Sequence, residues 1–73
     1  MEILSIYETW STDIKVYSKL MVQSLPENEE RLKKRVEEMN NRFFRNGDYV
    51  TRWELYRHPQ KSTKPYLEKY RIA

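Results

Sequence analysis

The stretch Ser24–Gly47, SLPENEERLKKRVEEMNNRFFRNG, limits what this chain can fold into more than any other part of it. Leu32, Val36, Met39 and Phe43 step by four, three and four, the spacing that lines one face of an α-helix. Ser24 and Glu27 have the spacing of a capping box, with the serine accepting from the backbone and the glutamate reaching back. Pro26 falls in the first turn, where its missing N–H does no harm. Glu27, Glu29 and Glu30 crowd the positive end of the helix dipole, and Arg42 and Arg45 its negative end. Gly47, the one glycine of the sequence, supplies a left-handed stop. The pattern predicts a helix over residues 25–45, and the two flanking segments must then cover its apolar stripe.

After Gly47 the run DYVTRWELYR alternates. Tyr49, Thr51, Trp53 and Leu55 fall on one side, and Val50, Arg52, Glu54 and Tyr56 on the other, the period of a strand with one buried face. HPQKSTKP reads as a loop, because Pro59 and Pro65 each remove a backbone donor and restrict the residue before them. YLEKYRIA reads as a short final strand. The first 23 residues fit two patterns. As a helix, Ile3, Tyr7, Trp10, Ile14, Tyr17 and Met21 form a stripe. As a hairpin turning at WSTD, Ile14, Val16, Leu20 and Val22 alternate with Lys15, Tyr17, Lys19 and Met21. The serine, threonine, aspartate, β-branched and aromatic residues of positions 3 to 18 favour the hairpin. The expected fold is α+β: a single domain over residues 1–73 with a small antiparallel sheet in the order β-β-α-β-β and one amphipathic helix on one face. The alternative is an N-terminal α-hairpin followed by a β-hairpin.

Composition removes several classes of function. There is no cysteine, so neither a disulfide framework nor a thiolate metal site is available, and His58, the single histidine, cannot build a histidine-rich zinc site. No glycine-rich phosphate loop exists. Neither a metal nor a cofactor is expected. The N-terminus has an acid at Glu2, no basic leader and no long apolar run, so neither a signal peptide nor a membrane span is expected, and a cytoplasmic location suits the chain. Ten aromatics among 73 residues point to a packed fold rather than disorder.

Catalysis finds little support. His58 stands in YRHPQ with no nucleophile motif beside it; general acid–base cleavage of RNA by His58, Arg57 and the tyrosines is the one arrangement available, against a plain loop histidine before a turn proline. Adjacent acids such as Glu29–Glu30 and Glu37–Glu38 diverge by about 100° on a helix and converge on nothing. Pairs one turn apart, Glu27 with Arg31, Glu30 with Lys34 and Glu38 with Arg42, are expected to form an exposed ladder.

The net charge of +3 is unevenly placed. Residues 1–39 hold six basic and eight acidic side chains, and residues 40–73 hold eight basic and three acidic. The strand alternation gathers Lys15, Tyr17, Lys19, Arg52 and Tyr56 on the sheet face away from the helix, joined by Arg57, Lys61, Lys64, Lys69 and Arg71 of the basic C-terminal half. Phe44, about 100° off the apolar stripe, either covers a sheet edge or meets a partner, a second copy of the chain included. Arginine, tyrosine and tryptophan are the side chains that dominate protein interfaces, and cations interleaved with aromatics also suit single-stranded nucleic acid. The expected function is that of a small non-enzymatic binding protein, an inhibitor or adaptor of a larger protein. Nucleic-acid binding is the alternative and a small ribonuclease the lesser one. Brevity, the use of Lys, Asn and Tyr, and the lack of Cys and Gly suit an accessory protein of a virus or mobile element.

Overall fold

In the computed structural model, which describes residues 1–73, the N-terminal segment is a hairpin. Strand β1 (Glu2–Ser11) pairs antiparallel with β2 (Val16–Ser24). The α-hairpin alternative is thereby overturned. Leu4 and Ile6, two positions apart, are both fully buried, which a strand allows and a helix, placing them about 200° apart, does not. The turn lies later than WSTD, over Thr12–Lys15, closed by the Thr12 N–H donating to the Lys15 carbonyl at 2.8 Å. Trp10 and Ser11 therefore belong to β1, and Trp10 stands opposite Tyr17.

The hairpin is not regular. Its register passes from Ile6 opposite Val22 to Tyr7 opposite Leu20, which leaves Met21 as the extra residue of a β-bulge. The bulge reverses the phase of alternation along β2. Val22 consequently shares a sheet face with Lys19 and Tyr17, while Leu20, Ser18 and Val16 lie on the other.

A 3₁₀ turn (Pro26–Asn28) leads into helix α1 (Glu29–Arg45). The capping box does not form, because the Asn28 side-chain amide takes the Ser24 hydroxyl at 2.6 Å. At the other end Gly47, with φ of 81°, permits a double closure: the Asp48 N–H donates to the Phe43 carbonyl at 2.8 Å and the Gly47 N–H to the Phe44 carbonyl at 3.0 Å. Asp48 then turns the chain toward the sheet by accepting from the Val50 and Thr51 N–H groups at 3.0 and 2.9 Å. Those bonds, led by the one from Thr51, hold its carboxyl below the usual range.

Strand β3 (Arg52–Pro59) pairs antiparallel with β1, giving the sheet order β2-β1-β3. His58 and Pro59, expected in a loop, close this strand. The expected fourth strand does not form. Glu68–Tyr70 instead wind into a 3₁₀ turn that uses their own backbone groups, and only Arg71–Ala73 reach β3, where Leu55 accepts from the Ile72 N–H and donates to the Ala73 carbonyl. The architecture is thus α+β in the order β-β-α-β.

Leu32 and Val36 of α1 pack on Leu4, Ile6, Trp53 and Leu55, with Val22, Met39 and Phe43 at the rim. Each fully buried aliphatic contributes about 1.5–3 kcal/mol. The helix lies over β3 and β1 rather than centrally over the sheet. Asn40 fixes it there: its Nδ2 donates to the Trp53 carbonyl at 2.9 Å and its Oδ1 accepts from the Trp53 N–H at 2.7 Å. One side chain thus satisfies both backbone groups of an edge residue. Each such bond contributes roughly 0.5–1.5 kcal/mol, so Asn40→Ala is expected to cost about 1–3 kcal/mol, read in urea as a lower midpoint at unchanged slope.

Candidate binding groove

Because α1 is displaced toward β3, the helix-side face of β2 is left uncovered. Val22 and Leu32 form the floor of an open groove of about 410 Å³, and Arg31, Lys34, Arg35 and Glu38 form its helix wall. All four wall residues are exposed. None of the three cations takes part in an ion pair; the pairs of this chain use Lys33, Arg57 and Arg71. The expected helix ladder is corrected accordingly: Lys33 meets Glu29 at 3.2 Å and Glu30 at 3.9 Å, and Glu29 is shared with Arg57 of β3 at 3.1 Å. That lowers the Glu29 carboxyl, the Lys33 hydrogen bond being the leading cause. Arg35 lies over the Trp53 ring at 5.8 Å. Beyond the floor, Lys19 stands opposite Glu8 without an ion pair, since Glu8 Oε1 accepts from Trp53 Nε1 at 3.3 Å. Further along the same sheet face Trp10 and Tyr17 stack at 5.5 Å, with Lys15 Nζ 5.2 Å from the Tyr17 ring centre.

The opposite face is covered only in part by the chain's own C-terminal segment, which leaves an open groove of about 550 Å³ between Thr9, Val16 and Ser18 on one side and Tyr66, Glu68 and Arg71 on the other. Ser5, 0 % exposed, and His58, 2 % exposed, are bonded across β1 and β3 through Oγ and Nε2 at 2.7 Å. Gln23 Nε2 donates to the same Oγ at 3.3 Å, and His58 Nδ1 lies 2.8 Å from the Pro59 carbonyl. One donor order satisfies all of these: Gln23 to Ser5, Ser5 to Nε2, and Nδ1–H to Pro59. A serine–histidine contact has the form of a nucleophile and its base, but no solvent reaches the serine oxygen and no substrate could. It is a polar rivet between three strands. Neither sequence-based reading of His58 described this, since a loop position was assumed for a residue that β3 buries.

Beside the rivet, Tyr7 meets Tyr56 and Tyr66 edge-on, each at 5.8 Å. Glu54 accepts from Arg71 at 2.8 Å, Thr9 at 3.1 Å and Tyr56 at 3.2 Å. Burial works to raise the Glu54 carboxyl, yet these donors outweigh it and its pKa is lowered. Burial and the neighbouring Glu54 charge push the Tyr56 phenol up to about 12. The folded state thus favours neutral Tyr56, a contribution fully present below about 10 and lost as pH rises toward about 12. Phenolate absorbance is expected to include one step near 12 that Tyr56→Phe removes.

The residues that sequence alone gathered into one surface are distributed over the molecule. Arg52, Tyr56 and Arg71 do belong to the face away from the helix, but Tyr56 is buried and Arg71 is bound to Glu54 and Glu68. Tyr17 and Lys19 lie on the helix side because the bulge and the later turn rephase β2, and Lys15 sits in the turn. Arg57 also faces the helix side and is held by Glu2 at 3.0 Å and Glu29 at 3.1 Å. Lys61 and Lys64 are exposed in the loop after β3, and Lys69 covers the Tyr70 ring at 5.0 Å. Phe44 is 65 % exposed and meets Tyr49 edge-on at 5.3 Å.

Arg31, Lys34 and Arg35 were not among the expected site residues. For Arg31 and Arg35 the signal was in the sequence: Arg31, Arg35, Glu38, Arg42 and Arg45 step by four, three, four and three, a mainly basic stripe flanking the apolar one, with Lys34 just outside it. No group of three His, Cys, Asp or Glu side chains converges where a metal ion could be held, and no helix is long and apolar enough to cross a membrane. The chain matches no protein-family model, and comparison with curated proteins and with solved structures finds no significant similarity.

Proposed function

We propose that this chain is a non-enzymatic binding protein that holds an acidic protein partner in the groove between α1 and β2. The observation that carries the reading is the set Arg31, Lys34 and Arg35, exposed around an apolar floor and free of ion pairs. Surface cations that already have carboxylate partners add little to binding, whereas free ones steer and hold an anionic ligand. Val22 and Leu32 add apolar contact, which a protein segment uses and a phosphate backbone does not. An inhibitor or adaptor of a larger protein fits this chemistry.

Nucleic acid is the competing ligand for the same cations. Its recognition as a single strand calls for free aromatic faces. Here Trp10 and Tyr17 stack on each other, Lys15 lies over the Tyr17 ring, and the tyrosines of the other face pack against the C-terminal segment. Those engagements favour a protein ligand.

Fluorescence anisotropy with labelled poly-L-glutamate and with single-stranded RNA of equal charge separates the two. Poly-glutamate is expected to bind at about 50 mM salt, and the charge reversal Arg31→Glu/Lys34→Glu is expected to weaken it at least tenfold, circular dichroism confirming the fold. Equal binding by the double variant would remove the groove from consideration. RNA binding tighter than poly-glutamate, with a steep salt dependence, would make phosphate the ligand.

A further inference from the structure

The two edges of the sheet are treated differently by the rest of the chain. On β3 the outer groups of Trp53 are taken by Asn40, and those of Leu55 by Ile72 and Ala73. On β2 nothing is taken: no backbone hydrogen bond outside the hairpin ladder involves residues 16–24, and no side chain bonds their backbone. A row of free N–H and C=O groups is a template for another strand. The row runs toward the cationic groove, because Val22 of the same strand is part of the groove's floor.

We infer that the outer edge of β2, from Val16 to Leu20, accepts an extended segment of the acidic partner as a fourth strand. The inference rests on the reading of the groove as a site for an acidic protein. Its chemistry follows from the bulge. Ahead of Met21, Tyr17 and Lys19 face the groove side and Val16, Ser18 and Leu20 the other. Val16 and Leu20 are exposed. An incoming strand would therefore carry acidic side chains at alternate positions, toward Lys19 and the helix cations, and apolar ones between them, toward Val16 and Leu20. Five residues span about 16 Å before the bulge breaks the pairing.

A second copy is the other candidate for this edge. Antiparallel self-pairing centred on Ser18 would match Val16 with Leu20, but it would also bring Lys19, Arg31, Lys34 and Arg35 of both copies onto one face. There is no acid in β2 and only Glu38 in the groove to offset them. Charge complementarity selects the acidic segment.

The test uses the full chain and labelled eight-residue peptides: one alternating Glu and Val, one of the same composition with its glutamates in a block, and two alternating peptides N-methylated on every second amide in opposite phases. The alternating peptide is expected to bind at least about tenfold tighter than the block peptide. Methylation in one phase should remove that advantage and in the other leave it, and the amides of residues 16–20 should gain exchange protection. Binding of poly-glutamate and both peptides alike, indifferent to methylation, would overturn strand addition while leaving the groove as an acidic-ligand site. Failure of all three to bind would overturn both readings. A concentration-dependent dimer in light scattering, with the same amides protected in the absence of peptide, would give the edge to a second copy and overturn the assignment.

Discussion

Asn40 holds α1 to the sheet by both backbone groups of Trp53, and much of the molecule follows from where that grip lies. Trp53 is on β3, so the helix is drawn to one side of the sheet and its apolar stripe closes over β1 and β3. The residues flanking that stripe on the β2 side find no carboxylate on β2, which holds no acid. Arg31, Lys34 and Arg35 are therefore left unpaired, while Lys33, toward the start of the helix, finds Glu29 and Glu30. A helix lying centrally on the sheet would cover Val22 and remove the groove. The same amide satisfies an edge that would otherwise be open, so placement of the helix and closure of β3 are one event.

The far side of the sheet is stabilised by different means. A chain this short cannot cover two faces with aliphatic residues. It covers part of the second with Tyr66 against Tyr7 and Tyr70 against His58, and ties that face together with polar contacts of Ser5, His58, Gln23 and Glu54. Every buried side-chain nitrogen and oxygen of the structure finds a partner. Loss of Ser5 or of His58 would be costly, because each would leave the other buried without that partner. The protein's own tail thus covers part of one face, the β3 side, while the helix covers the β3 and β1 side of the other.

The helix and its stop were legible in the sequence because periodicity and one glycine act locally. The sides of β3 were legible too: Trp53 and Leu55 do face the helix and Arg52, Glu54 and Tyr56 do not. What alternation alone missed was the phase of β2. Nothing about Met21 marks it as a bulge, and one extra residue moved Tyr17 and Lys19 to the face opposite the one expected. His58 was hidden by its neighbour. A proline ordinarily argues against continuing a strand, yet Pro59 is the last residue of an edge strand, where the missing N–H is tolerated. The groove cations were overlooked because the C-terminal half holds the larger excess of charge. Charge counts do not distinguish paired from unpaired side chains, and Arg57 and Arg71 spend theirs on Glu2, Glu29 and Glu54.

The unequal edges also fix a valence. A sheet open on both sides can add strands without limit, which is how edge-to-edge pairing grows into fibres. This sheet is terminated along part of β3 by a side-chain amide and the last residues of the chain, and it offers an uninterrupted row of strand-pairing groups along β2. Backbone pairing there uses the longer free edge of this chain and leaves no comparable row on β3. Two copies joined along β2 would turn only their partly capped β3 edges outward, so pairing between copies of this chain stops at two instead of growing into a fibre.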